Sequence, residues 1–229
     1  DLFHLDPIAP GSPFWHPKGT VLYNVLVEYM RELYDEYGYR EVITPQLFSV
    51  DLWKTSGHYQ NFSEDMYLFE SGDEEIGVKP MNCPGHCHYF ASGHHSYREL
   101  PLRLAEFSRL HRNERSGVLH VLTRVRAFSQ DDAHIYCTPE QFDQEIFTVF
   151  QMIARVYSDL GLGEPMIRLA TRPGKAIGSD EDWERAVELL GQSVTNAGKT
   201  YVLAPGEGAF YGPKLEFHFK DAIGRSWQL

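Results

Sequence analysis

The sequence predicts an α+β domain, and two patterns carry the prediction. Three stretches repeat apolar residues at helical spacing. The segments between them alternate apolar and polar residues in short runs, most broken by glycine or proline. Few runs alternate regularly with helices, so the strands are expected to pair mostly antiparallel, with helices packed against them.

The first helix is expected over residues 20–37, where Val21, Leu22, Val25, Leu26, Tyr29, Met30, Leu33 and Tyr34 form one stripe and Gly38 stands at the C-terminal cap position. Residues 39–43 then read as a strand stopped by Thr44-Pro45. Residues 66–70 and 75–79 read as a hairpin around Ser71-Gly72-Asp73. Strands are expected at 102–107 and, as one continuous run, at 125–136, bracketing a polar loop. A second helix starts at Thr138, where Pro139 and Gln141 make a capping-box pattern, and ends at Gly161. A third starts at Ser179, with Asp180, Glu181 and Asp182 placed to favour its dipole. Further strands are expected at 166–171, 200–203, 214–220 and 225–229. The last of these stops in mid-course, so the native polypeptide is expected to continue.

Composition excludes some functions. No apolar run approaches the ~20 residues needed to span a bilayer. The three cysteines, Cys83, Cys87 and Cys137, are too few and odd in number for a secreted disulfide scaffold and favour a reducing compartment; a cytoplasmic location is expected, with an organelle the alternative. Each is either an apolar filler or a metal ligand. Formal net charge is −11, unfavourable for general nucleic-acid binding. Residues 98–126 differ: they hold seven arginines against three glutamates and no lysine. Such an arginine set suits bidentate phosphate contacts, and a solvated basic face is the alternative.

Three clusters carry the chemistry. In Lys79-Pro-Met-Asn-Cys-Pro-Gly-His86, Cys83 precedes Pro84 at an expected strand-to-helix junction, where an accessible thiolate would be favoured by the helix dipole. Leu110-His-Arg-Asn-Glu-Arg-Ser-Gly117 reads as a charged loop. In Arg124-Val-Arg-Ala-Phe-Ser-Gln-Asp-Asp-Ala-His134, a continuous strand would put Gln130, Asp132 and His134 on one face, continued by Arg124, Arg126 and Phe128. That row offers partners for a phosphate, a flat ring, an amine and a metal; a solvated sheet face is the plainer reading.

Taken together, these segments resemble the threonyl-tRNA synthetase family over essentially the whole chain, residues 1–229 forming one class II catalytic core. Gly11-Ser-Pro-Phe-Trp-His-Pro-Lys-Gly19, the helix after it and Thr44-Pro45 resemble motif 1, which implies a homodimer interface. Arg112-Asn-Glu114 and the strand back to His134 resemble motif 2. Met81-Asn-Cys-Pro-Gly-His86, Gln130-Asp-Asp-Ala-His134 and Gly208-Ala-Phe-Tyr-Gly-Pro-Lys214 are threonine-type signatures.

The resemblance implies ATP, threonine and threonine tRNA as substrates, zinc in the active site and magnesium with the ATP. It assigns the α-phosphate to Arg112, the adenine amino group to Glu114, ring stacking to Phe128 and the terminal phosphates to Arg124, with Arg126 beside them. Cys83 and His134 match two of three zinc ligands, the third lying beyond Leu229 together with the motif 3 arginine. Asp132 would take the threonine hydroxyl proton, and Gln130 and Tyr211 would seat the amino acid. Lys214 and Gln228 match positions near the nucleotide, and His58 matches a histidine that assists transfer to tRNA. Arg115 departs from a frequent proline. Cys87 and Cys137 read as core filler, ahead of a rival local metal site made by Cys83, Cys87, His86 and His88. His94, His95, His111 and His120 read as loop or surface residues. The alternatives are a catalytically silent synthetase-like module and a related synthetase for proline or serine.

Overall fold

The computed structural model describes residues 1–221 and 223–228, and the chain divides into two compact units, Asp1–Tyr136 and Cys137–Leu229.

The first unit opens with the paired strands β1 (Phe3–His4) and β2 (Phe14–Trp15), followed by helix α1 (Pro17–Glu36). The helix begins a turn earlier than its apolar stripe because Pro17 serves as its first residue, where a missing N–H costs nothing. It ends as expected, with Gly38 at φ +73°. Only Gly19, Leu33 and Tyr34 of α1 are buried, whereas Val21, Leu22, Val25 and Leu26 are exposed (64, 46, 59 and 45%). Among the described residues the N-terminal part of the apolar stripe is thus exposed, whereas Leu33 and Tyr34 at its C-terminal end are packed.

The strand expected at 39–43 shrinks to β3 (Arg40–Glu41), because the backbone beyond Val42 turns to a side-chain partner. Val42 N donates to the Ala105 carbonyl and Thr44 N to the Glu106 carboxylate. Next come β4 (Leu47–Ser49), α2 (Val50–Thr55) and α3 (His58–Phe62), then the predicted hairpin of β5 (Leu68–Ser71) and β6 (Glu74–Val78), turning at Gly72 with φ +65°. Strands β4, β6 and β5 form one antiparallel sheet over a core of Val50, Trp53 and Met66.

Helix α4 (Cys83–Ala91) leads to β7 (Leu102–Glu106) and β8 (Arg109–His111), which return as β9 (Ala127–Ser129) and β10 (Asp132–Tyr136). Here the sequence expectation fails: 125–136 is two strands, not one. β9 pairs with β8, and β10 pairs with β7, so Phe107-Ser108 and Gln130-Asp131 interrupt both arms of the hairpin together. The interruption has its own hydrogen bonds, Tyr34 Oη to the Asp131 carbonyl (2.7 Å) and Ser108 Oγ to Asn82 Oδ1 (2.7 Å). β3 completes the β10–β7–β3 sheet in parallel with β7.

The second unit follows the sequence closely. Thr138 and Gln141 close the capping box, and α5 (Phe142–Asp159) follows a short 3₁₀ turn, ending before Gly161 at φ +70°. β11 (Met166–Ala170) passes through α6 (Asp180–Asn196), capped by Ser179, to the parallel strand β12 (Tyr201–Ala204); a parallel pair requires such a crossover. β13 (Lys214–Lys220) and β14 (Ser226–Gln228) add antiparallel strands in the order β12–β11–β13–β14. The last residue of the strand expected at 225–229 lies outside the described residues. Phe150, Ile167 and Val194 centre this unit's core. No helix among the described residues is long and apolar enough to cross a membrane.

Candidate active site

Two rungs tie the start of α4 to the edge of β10. Asn82 Nδ2 donates to Asp132 Oδ2 at 3.1 Å, and the Nδ1 atoms of His86 and His134 meet at 2.8 Å. Behind them lies a closed polar core. Lys79, Asn82, His86 and Glu106 are all at most 1% exposed. Glu106 accepts from Lys79 Nζ (2.9 Å), from Thr44 N (2.9 Å) and hydroxyl, and its Oε2 sits 2.9 Å from His86 Nε2. Burial alone would raise the Glu106 carboxyl, but the bonds from His86, Thr44 and Lys79 outweigh it and hold the group at about 2. Asp132 and Glu106 are register partners on β10 and β7, so both carboxylates leave the same face of the sheet.

Cys83 is the first residue of α4, as the Pro84 position suggested. Its thiol is nevertheless half-buried, and burial, reinforced by Cys87 and Asp132, pushes it up to about 12. Desolvation therefore outweighs the helix dipole, and the accessible thiolate expected from sequence is not the state of the free chain. A bound cation would reverse that balance. Cys87 is no core filler: it is exposed, 3.8 Å from the Tyr136 hydroxyl. Cys137 is partly buried. The rival site around Cys87 has no support in the geometry, because His86 is committed to Glu106 and His134 while His88 is exposed. His111 is not a loop residue but the end of β8; His94, His95 and His120 are exposed.

The phosphate-type residues lie on the β8–β9 hairpin and its loop. The Arg112 guanidinium lies 5.0 Å over the Phe128 ring, and its Nε donates to the Pro80 carbonyl at 3.2 Å. Glu114 pairs with Arg124 at 2.9 Å, and Arg126 Nε donates to the Glu114 carbonyl at 2.8 Å. The residues expected to meet adenine and phosphates thus hold one another. Gln130 is exposed in the interruption between β9 and β10, outside the row proposed for it, while Asp132 and His134 do share a strand face. Arg115 makes a surface pair with Glu64.

His58 is buried against Trp53, with Nδ1 2.8 Å from Ser56 Oγ, and burial lowers its pKa. In the second unit, Tyr211 is exposed at an edge-on contact with Phe210, and Gln228 is exposed on β14. Lys214 Nζ sits 2.7 Å from Glu216. Gly208 is required where it stands: its N–H reaches the Thr171 carbonyl at 2.7 Å, and a Cβ there would fall 2.5 Å from that oxygen.

Sequence reasoning missed the supporting roles of Lys79, Asn82, His86 and Glu106. The first three were inside a cluster already singled out. A signal for the fourth was present too, a lone acid closing the apolar strand Leu102-Arg-Leu-Ala-Glu106.

The site is thus an interrupted antiparallel hairpin bearing a stacked arginine and phenylalanine, beside a thiol and an imidazole on adjoining elements. Residues 67–229 match the family model for the tRNA synthetase class II core domain (G, H, P, S and T), and the chain belongs to that family. Within it, the chain is a homologue of the threonine–tRNA ligases. It is 50% identical over 228 residues to that of Thiobacillus denitrificans and 51% identical to that of Bordetella pertussis, with all of the chain aligned. It spans only 36% and 35% of those relatives. A structure titled as the RNA binding domain of threonyl-tRNA synthetase from Cryptosporidium parvum superposes with a TM-score of 0.96 at 48% identity, covering 99% of this chain and 57% of that one. A putative threonyl-tRNA synthetase from Aeropyrum pernix gives 0.85 at 34%, covering 96% and 51%. Giardia lamblia prolyl-tRNA synthetase, at 18% identity and 0.71 over 99% of this chain and 40% of that one, shares the fold.

Proposed function

We propose that this chain is the catalytic core of a threonine–tRNA ligase, which activates threonine with ATP and transfers it to the 3′ end of threonine tRNA. The observation that carries the reading is the Arg112–Phe128 stack flanked by the Glu114–Arg124 pair. It is a compact set with a phosphate partner, an aromatic face and an acceptor for an amino group. On binding, ATP would replace internal partners with its own: adenine on Phe128 against Glu114, the α-phosphate on Arg112, the terminal phosphates on Arg124. The resemblance assigns Lys214 and Gln228 to the nucleotide, and Gln130 and Tyr211 to the amino acid.

In the first step a threonine carboxylate oxygen attacks the α-phosphorus, the bond to the bridging oxygen of the β-phosphate breaks, and pyrophosphate leaves. Arg112 and Arg124 neutralise developing charge, which is the main catalytic work in such a displacement. Magnesium would neutralise the phosphates further. In the second step the terminal ribose hydroxyl attacks the carbonyl carbon and AMP leaves. His58, held neutral by burial, is the group proposed to assist.

For zinc, the donor chemistry fits. Cys83 and His134 stand on α4 and β10, which the Asn82–Asp132 and His86–His134 bonds hold side by side. Among the described residues no set of three His, Cys, Asp or Glu converges, and Cys83 and His134 are the two donors proposed here. When bound, zinc would supply a Lewis acid that recognises an amino group and a hydroxyl together. Asp132, oriented by Asn82, would accept the hydroxyl proton. Such a site separates threonine from valine better than an apolar pocket, which manages only about a hundredfold.

A homodimer through α1 is supported by the exposed row of Val21, Leu22, Val25 and Leu26, and three free cysteines suit the cytoplasm. The test is pyrophosphate exchange on the full-length protein. Threonine-dependent exchange is expected, and its absence would leave a silent synthetase-like module as the better reading.

A further inference from the structure

We propose that Glu106 and His86 form a positioning relay that fixes the tautomer of His134, placing the proton on Nδ1 and leaving Nε2 as the bare nitrogen for a divalent metal. The inference rests on the reading of His134 as a metal donor and extends it to two buried residues that touch neither metal nor substrate.

Each link constrains the next. Lys79 Nζ donates to Thr44 Oγ1 at 2.9 Å, so the Thr44 hydroxyl turns its own proton to Glu106, 2.9 Å from Oε2. Glu106 also accepts from Lys79 and from the Thr44 backbone. A carboxylate that already accepts from these donors has no proton to give, so the 2.9 Å contact with His86 requires His86 Nε2 to be the donor. The ammonium of Lys79 balances the one negative charge, and a further cation at His86, which is fully buried, would stand uncompensated. With its proton on Nε2, the neutral ring presents Nδ1 as an acceptor. Nδ1 of His134 lies 2.8 Å away and must therefore donate. The one position left without a proton on His134 is Nε2.

The arrangement also holds the ring. The two imidazoles meet edge-on at 74°, with centroids 4.6 Å apart. A ligating histidine commonly gives its second N–H to such a partner, and loss of that partner typically costs 10–100-fold in metal affinity. Here the partner is another histidine, and the acid behind it sets the direction of both protons.

That direction can be reversed by one atom. In Glu106→Gln the amide oxygen stays with Lys79 while the NH₂ faces His86 Nε2. This pushes the His86 proton to Nδ1 and the His134 proton to Nε2. In the full-length protein, zinc affinity measured by chelator competition is expected to fall 10–100-fold in Glu106→Gln and in His86→Leu. It is expected to stay near wild type in His86→Asn, whose amide oxygen can replace Nδ1 as acceptor. Histidine ¹⁵N shifts of the metal-free wild-type protein, with the His134 signal assigned from His134→Gln, should show Nδ1 protonated. A His134 protonated on Nε2 overturns the relay, as does a folded Glu106→Gln with unchanged zinc affinity. Should Glu106→Gln not fold, the wild-type ¹⁵N result decides alone. If wild-type protein binds no zinc, the metal reading of His134 fails, and the tautomer measurement still judges the relay separately.

Discussion

His86 and His134 meet nitrogen to nitrogen because a helix and a strand happen to climb at the same rate. Asn82, just before α4, and His86 and Phe90 on it recur every four residues, an advance of about 6 Å per step. Asp132, His134 and Tyr136 recur every two residues on β10, an advance of about 6.6 Å. The rungs therefore stay matched: an amide on a carboxylate, imidazole on imidazole, and the Phe90 and Tyr136 rings stacked at 4.1 Å and 2°. Two of the site's proposed ligands, Cys83 and His134, are set into this ladder, so its rigidity is theirs.

Acid should loosen the ladder through Glu106. Its folded value of about 2 lies below the ordinary ~4.3 of a glutamate in an unfolded chain. Its stabilisation is thus fully present above about pH 4.3 and is lost as pH falls toward 2. Urea denaturation between pH 7 and pH 3 is expected to show wild-type stability dropping below about pH 5. Glu106→Gln should be less stable at pH 7 and show a shallower drop; parallel profiles would contradict the assignment.

Arg112→Ala should lower threonine-dependent pyrophosphate exchange by about 10²–10³-fold, the usual cost of removing one preorganised charge partner of a transition state. The melting temperature should change little, since Arg112 is only partly buried. Glu114→Ala is expected to act mainly on the KM for ATP, because an adenine contact is made equally in ground and transition states.

Threonine selection can be tested by competition. Serine keeps the hydroxyl and lacks one methyl, worth roughly 10–200-fold, so measurable serine activation is expected. Valine should be rejected more strongly than serine. Equal rejection of the two would remove the hydroxyl-recognition argument.

Val21→Glu combined with Val25→Glu should convert a dimer to a monomer in sedimentation, with circular dichroism unchanged. Both side chains are more than half exposed within the chain, so neither is needed for its folding. A wild-type monomer would remove the interface proposed for α1.

Gly208→Ala should destabilise the second unit by about 1–3 kcal/mol, read from the shift in thermal denaturation, because the Thr171 carbonyl must retreat from the added methyl. Gly72→Ala is the comparison for a glycine whose neighbourhood is open; it meets only its own φ of +65°.

The amino-acid sequence alone determined the three long helices, their caps and the α+β class, because periodicity and capping are local, whereas the short helices α2 and α3 were not read from it. Thr138, Gln141, Ser179 and Gly38 act on groups within a few residues. It also determined the motif clusters, and with them Arg112, Phe128, Asp132 and His134 as residues of interest. Only the tertiary structure decided how the row from Arg124 to His134 divides, since the interruption at Gln130-Asp131 depends on Tyr34, nearly a hundred residues away. It likewise decided that Cys83 is desolvated and that His86 points inward while Cys87, one residue on, faces out. And it joined Thr44, Lys79, His86 and Glu106 into one buried network. Proton direction and desolvation depend on which groups from distant parts of the chain meet where water is excluded, and local spacing does not encode those meetings.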